Sequence, residues 1–475
     1  MSAPTASETP GDQPVDNATL RRAVGASMIG NATEWYDYGV YAYLVNELTT
    51  NFFPGHYGHL ATLLVYAVSF ILRPLGGIVW GPIGDRIGRN SVMALTIILM
   101  AVGTFLVGCI PSYDRIGIWA PIVLIVLRVI QGFSTGGEYG GAATFMAEYA
   151  PDKRRGFWGS FLEFGTLAGF SGGIIITLIL RASLTEHQMD TWGWRIPFLI
   201  GLPLGLIGLY LRTRMEDTPV FQELQQNDEV EEAATGALKN LLREHWRPIL
   251  KLFGLVIALN IADYTLLTYM PTYMSDSLGI SSTQSDVVVL IGQLLMMALI
   301  WYAGATSDRV GRKPMWWFSL TATFVLAVPC FWLMGQGMAW AIIGFAVLGL
   351  VFLPQLGTIS ATFPAMFPAH VRYAGMAIGY NVATAAFGGT VASVDDSLVS
   401  STGNRYMPAF YMMAAMVVGM VALVFVPETA GKSLRGRGTP GEDEPADDAG
   451  RDRPGIHNVS GIRDVSREFG SRRPR

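Results

Sequence analysis

GPIGDRIGRN, residues 81–90, joins two long apolar segments, and a near copy, GATSDRVGRK at 304–313, joins two more in the second half of the chain. Asp85 and Asp308 stand 223 residues apart, close to half of the 475-residue chain. The glycines permit a tight turn or a close helix approach, and an aspartate there can accept hydrogen bonds or pair with a cation. The arginines mark a cytoplasmic surface. The repeat alone therefore indicates a membrane protein made of two related halves.

Composition agrees. Charged residues make up 15% of the chain and hydrophobic residues 51%, against roughly 25% charged in soluble proteins. Mean hydropathy is +0.36. The net charge of −4, with scattered basic residues, leaves no footprint for nucleic acid. Cys109 and Cys330 each lie alone in an apolar run, which argues against a disulfide scaffold or a metal site. The polar, acidic first 20 residues do not resemble a cleaved signal peptide.

Apolar spans fall near 23–46, 60–82, 91–110, 119–145, 157–181 and 195–211, then near 249–273, 286–306, 315–334, 339–362, 373–394 and 407–426. Each is long enough to cross a hydrocarbon core of roughly 30 Å as a helix. The expected organisation is a disordered tail (1–20), a six-helix bundle (21–213), a polar connector (214–248), a second bundle (249–434) and a disordered tail (435–475). With both termini inside, the cytoplasmic segments carry fifteen Lys and Arg residues, and the external loops carry three, Arg115, Arg195 and Arg405. That bias selects an all-α protein of twelve spans in the cell membrane, with both termini cytoplasmic. A ten-span alternative needs one Gly-rich segment to be re-entrant.

Several ionisable residues stand where the bilayer tolerates them only at a cost of several kcal/mol. Glu34 and Asp37 share one face of the first span, Arg73 precedes Pro74 in the second, and Arg128 lies in the fourth with Glu138 beyond it. Glu163 lies in the fifth span. Either arginine can hold a substrate carboxylate through parallel hydrogen bonds, and one or two of the acids can cycle a proton. The alternative is a set of buried ion pairs that fixes helix packing, the role expected of Asp85 and Asp308.

Aromatic residues crowd the same places. Trp35, Tyr36, Tyr38 and Tyr41 lie in the first span and Tyr139 follows Glu138. The seventh span places Asn260, Asp263, Tyr264 and Tyr269 before Pro271. Such rings can surround an ammonium head, so an arginine with an aromatic box suits a small zwitterion. Helix packing and interfacial anchoring account for many of these aromatics equally well. No P-loop pattern occurs, which leaves an ion gradient as the simplest source of energy, and no cofactor is expected.

The runs GNATEWYDYGVY, FILRPLGGIVWG, RVIQGFSTGGEYGGA, EYAPDKRRG, WGWRIPF and PETAGKSL, with the paired G-x-x-x-D-R-x-G-R loops, resemble the metabolite–proton symporters of the major facilitator superfamily. IPSYDRIGIWAP and DYTLLTYMPTYMS resemble its proline/glycine-betaine carriers. The resemblance implies a monomeric transport unit in the bilayer, alternating access between bundles, and protons as coupling ion. It places the substrate or proton pathway around Glu34, Trp35, Tyr36, Asp37, Arg73, Arg128 and Glu138. It implies a cytoplasmic gate of Asp85, Arg86 and Arg89 with Asp308, Arg309 and Arg312, and a further basic motif at Arg154, Arg155 and Gly156. Asn90 stands where the first loop usually ends in a basic residue. Import of proline or glycine betaine is the leading expectation. Symport of another carboxylated metabolite, such as 2-oxoglutarate, citrate or shikimate, is the first alternative, ahead of multidrug export and a receptor role.

Overall fold

The computed structural model describes residues 17–87, 89–213, 243–369, 371–434 and 439–440, all helix, turn or loop. The side chains of Asp85, Arg86 and Arg89 lie outside the described residues, as do most of the expected connector and both tails. The first helix begins at Asn17 and the first helix after the connector at Trp246, each a few residues before the boundary expected from hydropathy. The described helices belong to one compact unit that extends to Gly441.

By length and hydropathy eight of the described helices qualify as membrane spans, and a ninth if the bent pair Glu186–Gly193 and Arg195–Tyr210 is taken as one. The other three expected spans are also helical. Asn17–Tyr43 mixes Glu34, Asp37, two asparagines and four tyrosines into its length. The third span lies in the 21-residue helix Arg89–Cys109, whose described part includes the apolar run Ala94–Cys109. The eleventh span is divided at Gly388 and Gly389 into Arg372–Phe387 and Val391–Thr402, and its second piece carries Asp395 and Asp396.

The Arg155–Ser183 helix is the axis of the packing, lying against Asn17–Tyr43 on one side and Ser282–Val310 of the second half on the other. Its glycines make this possible. A Cβ on Gly165 or Gly169 would run into the backbone of Met28, or of Ala32, Trp35 and Tyr36, and one on Gly156 would meet the Gly304 carbonyl. Here small residues bring backbones together, as expected of helices that gain no hydrophobic drive from meeting in lipid.

Two helix breaks are tied across the halves. Pro271 has no N–H to give the Leu267 carbonyl four residues earlier, and the span passes through a π-helical turn at Thr265–Tyr269. The Tyr43 hydroxyl, from the first half, donates to that carbonyl at 3.4 Å. In the first half the span breaks between Thr135 and Glu138, and the Asn381 amide of the second half donates to the Gly136 carbonyl at 2.6 Å. Backbone groups freed inside a membrane need such partners.

Replacing Gly169 with valine should cost about 1–3 kcal/mol through backbone overlap, read as a clear fall in thermal midpoint in detergent. Gly25→Ala, where a Cβ meets nothing within 4 Å, should change stability by no more than about 1 kcal/mol. Equal midpoints for the two variants would contradict this packing.

Candidate functional site

Arg73 restarts the second span after the Leu72 turn, with Pro74 in the first helical turn, where its missing N–H costs nothing. Its guanidinium is fully buried. One nitrogen donates to Glu34 Oε1 at 2.9 Å. The planar group lies over the rings of Phe70 at 4.6 Å, Tyr38 at 4.9 Å and Trp35 at 5.7 Å. Tyr264 of the second half closes the ring set, 5.2 Å from Phe70 and 6.1 Å from Trp35. An aromatic box therefore stands beside Glu34 but not Asp37, and an arginine of the protein occupies it. Nε and Nη1 of Arg73 have no hydrogen-bond partner.

A second set of polar groups links the first span to the fifth. Trp35 Nε1 donates to Asn31 Oδ1 at 3.1 Å. Asn31 in turn donates to the Leu162 carbonyl and to Thr166 Oγ1. Thr166 donates to Glu163 at 2.9 Å, and the Tyr139 hydroxyl donates to the other Glu163 oxygen. Tyr139 stacks on Tyr380 of the second half with centroids 4.5 Å apart. Glu163 is buried, with neutral hydroxyls rather than a cation as its hydrogen-bond partners.

Asp37 faces away from this centre, into the first half. It accepts from Arg128 at 2.6 Å, Thr104 at 2.8 Å and Gln131 at 3.0 Å. The Tyr41 ring covers Arg128 at 4.0 Å, and the Tyr41 hydroxyl donates to the Thr62 carbonyl. Tyr36 likewise turns aside, donating to the Pro197 carbonyl at 2.8 Å. Glu138 is buried in the first turn of its helix, where the helix dipole favours a carboxylate. From the second half, Asn260 donates to Thr384 at 2.9 Å, Asp263 is buried, and Tyr264 is buried against two of the rings that cover Arg73.

The expected residues thus divide. Glu34, Trp35, Arg73, Tyr139, Glu163, Asp263 and Tyr264 line the junction between halves, whereas Tyr36, Asp37, Tyr41 and Arg128 lie within the first. Tyr38, one of the aromatics expected to surround a cationic head, completes the junction with Phe70 and Tyr380, which no sequence motif singles out. The seventh span, with its aromatics before a proline, gave the only hint of a second-half contribution.

At the end bearing Asp308, the contacts between the halves are built from helix ends. Asp308 accepts from the backbone N–H groups of Gly156 at 2.8 Å and Phe157 at 2.9 Å, and pairs with Arg312 at 2.7 Å. It thereby satisfies the unpaired first turn of Arg155–Ser183 and complements its dipole. Gly311 takes φ +107° between the two helices of the repeat, and Glu428 accepts from the Arg312 and Lys313 N–H groups just after it. Arg155 donates to the Lys432 carbonyl at 3.1 Å and also pairs with Asp152. Arg372 pairs with Glu148 at 3.1 Å and donates to the Leu434 carbonyl at 2.7 Å. Leu434 packs with Ala147 and Ala365. Arg154 and Arg309, expected in this network, are exposed instead.

The opposite end has a latch that the sequence did not reveal. Arg181 pairs with Asp286 of the second half at 2.5 Å and with Glu47 of the first at 2.9 Å. A small cavity lined by Tyr43, Asn46, Arg181, Pro271 and Asp286 sits beside it. Both ends are therefore closed by side chains that cross between halves. Among the described residues, no group of three metal-ligating side chains occurs.

Asp308→Ala should favour opening of its end by roughly tenfold or more, since charge-assisted bonds contribute about 1.5–3 kcal/mol each. The measurement is the maleimide labelling rate of a cysteine placed at Ala377, which faces Gly140 across the halves. An unchanged rate would contradict the capping role.

A family model described as Major Facilitator Superfamily matches residues 28–393. A protein of Dickeya dadantii named glycine betaine/proline/ectoine/pipecolic acid transporter OusA is 43% identical over 436 residues, covering 89% of this chain and 86% of that one. The proline/betaine transporter of Escherichia coli K12 is 42% identical over the same shares. The ectoine/proline transporter ProP of Corynebacterium glutamicum is 40% identical over 88% of this chain and 86% of that one. Among solved structures, the proton:xylose symporter XylE bound to 6-bromo-6-deoxy-D-glucose superposes with a TM-score of 0.69 at 19% identity. The alignment covers 88% of this chain and 98% of that one, a likeness of fold. A sequence match across most of the chain, on a shared helical fold, makes this protein a member of the Major Facilitator Superfamily.

Proposed function

We propose that this protein imports a small zwitterionic osmolyte, proline or glycine betaine, by proton symport through alternating access. The observation that carries the reading is Arg73, a buried guanidinium at the junction of the halves with two nitrogens left open. A guanidinium stays protonated and can donate charge-assisted hydrogen bonds to a carboxylate from its open nitrogens. The names of relatives at 40–43% identity support the same solutes. The end that carries Arg155, Arg312 and Arg372 faces the cytoplasm, with both termini on that side, in accord with the basic-residue bias of the loops. A single chain in the cell membrane is the transport unit.

Glu163 is the acid that cycles. A hydroxyl can donate to a carboxylate or, rotated, accept from a carboxylic acid, so Tyr139 and Thr166 serve either protonation state. Asp37 is different, because Arg128 pairs with it directly. Glu34 is held by Arg73 in the same way. Arg128 also has two open nitrogens, and this is the feature that favours the second reading, a dicarboxylate. Its enclosure by Tyr41, Thr104 and Gln131 inside the first half weighs against that reading.

In proteoliposomes under an imposed inward proton gradient, labelled betaine or proline should accumulate, and a protonophore should abolish the accumulation. Arg73→Lys should reduce that uptake at least tenfold, the equivalent of about 1.4 kcal/mol. Preferential uptake of 2-oxoglutarate would reject the zwitterion assignment and keep a carrier. Glu163→Gln should lose gradient-driven accumulation yet retain exchange of solute at equal pH, and retained accumulation would remove Glu163 from proton coupling.

A further inference from the structure

The aromatic rings that suit a cationic head already cover Arg73, so the positive end of a zwitterion needs another partner. We propose that Asp263 is that partner, the counter-ion for the substrate's ammonium group, while Arg73 takes its carboxylate. The proposal rests on the zwitterion reading above and adds the residue that selects for positive charge.

Three buried polar groups from opposite halves remain open at this junction. Arg73 of the first half has Nε and Nη1 without partners, and Asp263 Oδ1 and the Tyr264 hydroxyl of the second half also lack them. Asp263 is 6% exposed, and no arginine, lysine or histidine of the described residues forms an ion pair with it. Its neighbour Tyr264 presents its ring to Phe70 and Trp35, two of the rings that cover Arg73. The Tyr264 hydroxyl stands within electrostatic reach of both Arg73 and Asp263, and Tyr380 within reach of Arg73, Asp263 and Glu163. The open cation and the open anion therefore flank the same tyrosines from opposite halves.

An unpaired ionisable side chain at membrane depth is costly and marks a functional site, a substrate counter-ion being one kind. Of the two other acids that line this junction with Arg73, Glu34 is answered by Arg73 and Glu163 by two hydroxyls. A zwitterion bridging Arg73 and Asp263 satisfies a donor on one half and an acceptor on the other in a single event. It draws the halves together in a way that a monoanion or a lone cation cannot. Water solvates Asp263 whenever the site is open.

The test uses 3,3-dimethylbutyrate, the carbon isostere of glycine betaine, which keeps the carboxylate and the shape but lacks the positive charge. Exchange of labelled betaine is measured in proteoliposomes of the full chain at equal pH on both sides, with unlabelled betaine or the isostere as competitor. The wild type should prefer betaine over the isostere at least tenfold. Asp263→Asn should weaken betaine at least tenfold and change the isostere less than twofold, so that the preference collapses. Asp263→Glu should keep the preference in part. A wild type that binds the two competitors equally, or an Asp263→Asn protein that still discriminates, overturns the assignment. If Asp263→Asn does not fold, the wild-type preference and its persistence in Asp263→Glu decide. Absence of betaine and proline exchange in the wild type would instead reject the zwitterion reading itself.

Discussion

A charge inside a bilayer must be answered by a partner, and that requirement organises the whole molecule. Most of the buried arginines mark places where helices are fixed to one another. Arg128 with Asp37 ties three helices of the first half. Arg181 with Asp286, and Arg372 with Glu148, join one half to the other at opposite ends. Breaking a buried pair by removing one member typically costs about 3–5 kcal/mol. Arg73 is the exception, since it is paired on one nitrogen and covered by rings, yet open on two others.

The two ends are closed by different means. The Asp308 end uses the first turn of a helix as a receptor for a carboxylate, with the backbone carbonyls of Lys432 and Leu434 receiving arginines from both halves. The opposite end uses one arginine shared between two acids, reinforced by the chain of hydrogen bonds from Ser171 through Gln293 to Tyr43. The capped end carries more contacts and more backbone participation. Alternation requires each of these closures to be reversible while the central site holds solute.

Legibility in the sequence followed how singular each signal was. Gly304, Asp308, Gly311 and Arg312 could be read because a motif repeated at half the chain length rarely arises by coincidence, and each residue does the work its chemistry suggested. Arg73 and Glu34 stood out as charges in an apolar run. Phe70 and Tyr380 did not, because an aromatic in a membrane helix is ordinary and only its neighbours across the junction give it meaning. Arg181 was overlooked at the edge of a span, where a cation looks like an interfacial anchor. The helices of Arg154 and Arg309 turn both residues outward, a matter of helical phase that a short basic motif does not reveal. The first and eleventh spans, weakest by hydropathy, are weak because they carry the buried polar groups of the core and of the junction.

The central claim is that two halves, closed against each other around an arginine and an acid, open in alternation. Two pairs of spin labels test it most directly, on cysteines at exposed positions in a protein lacking Cys109 and Cys330. One pair, Lys153 with Arg309, spans the capped end, and the other, Asn46 with Ser281, spans the opposite end. Under conditions that favour one orientation or the other, with betaine and a change of pH, the two distances should move in opposite senses. Distances that stay fixed at both ends while solute crosses, or that widen together, would contradict the account.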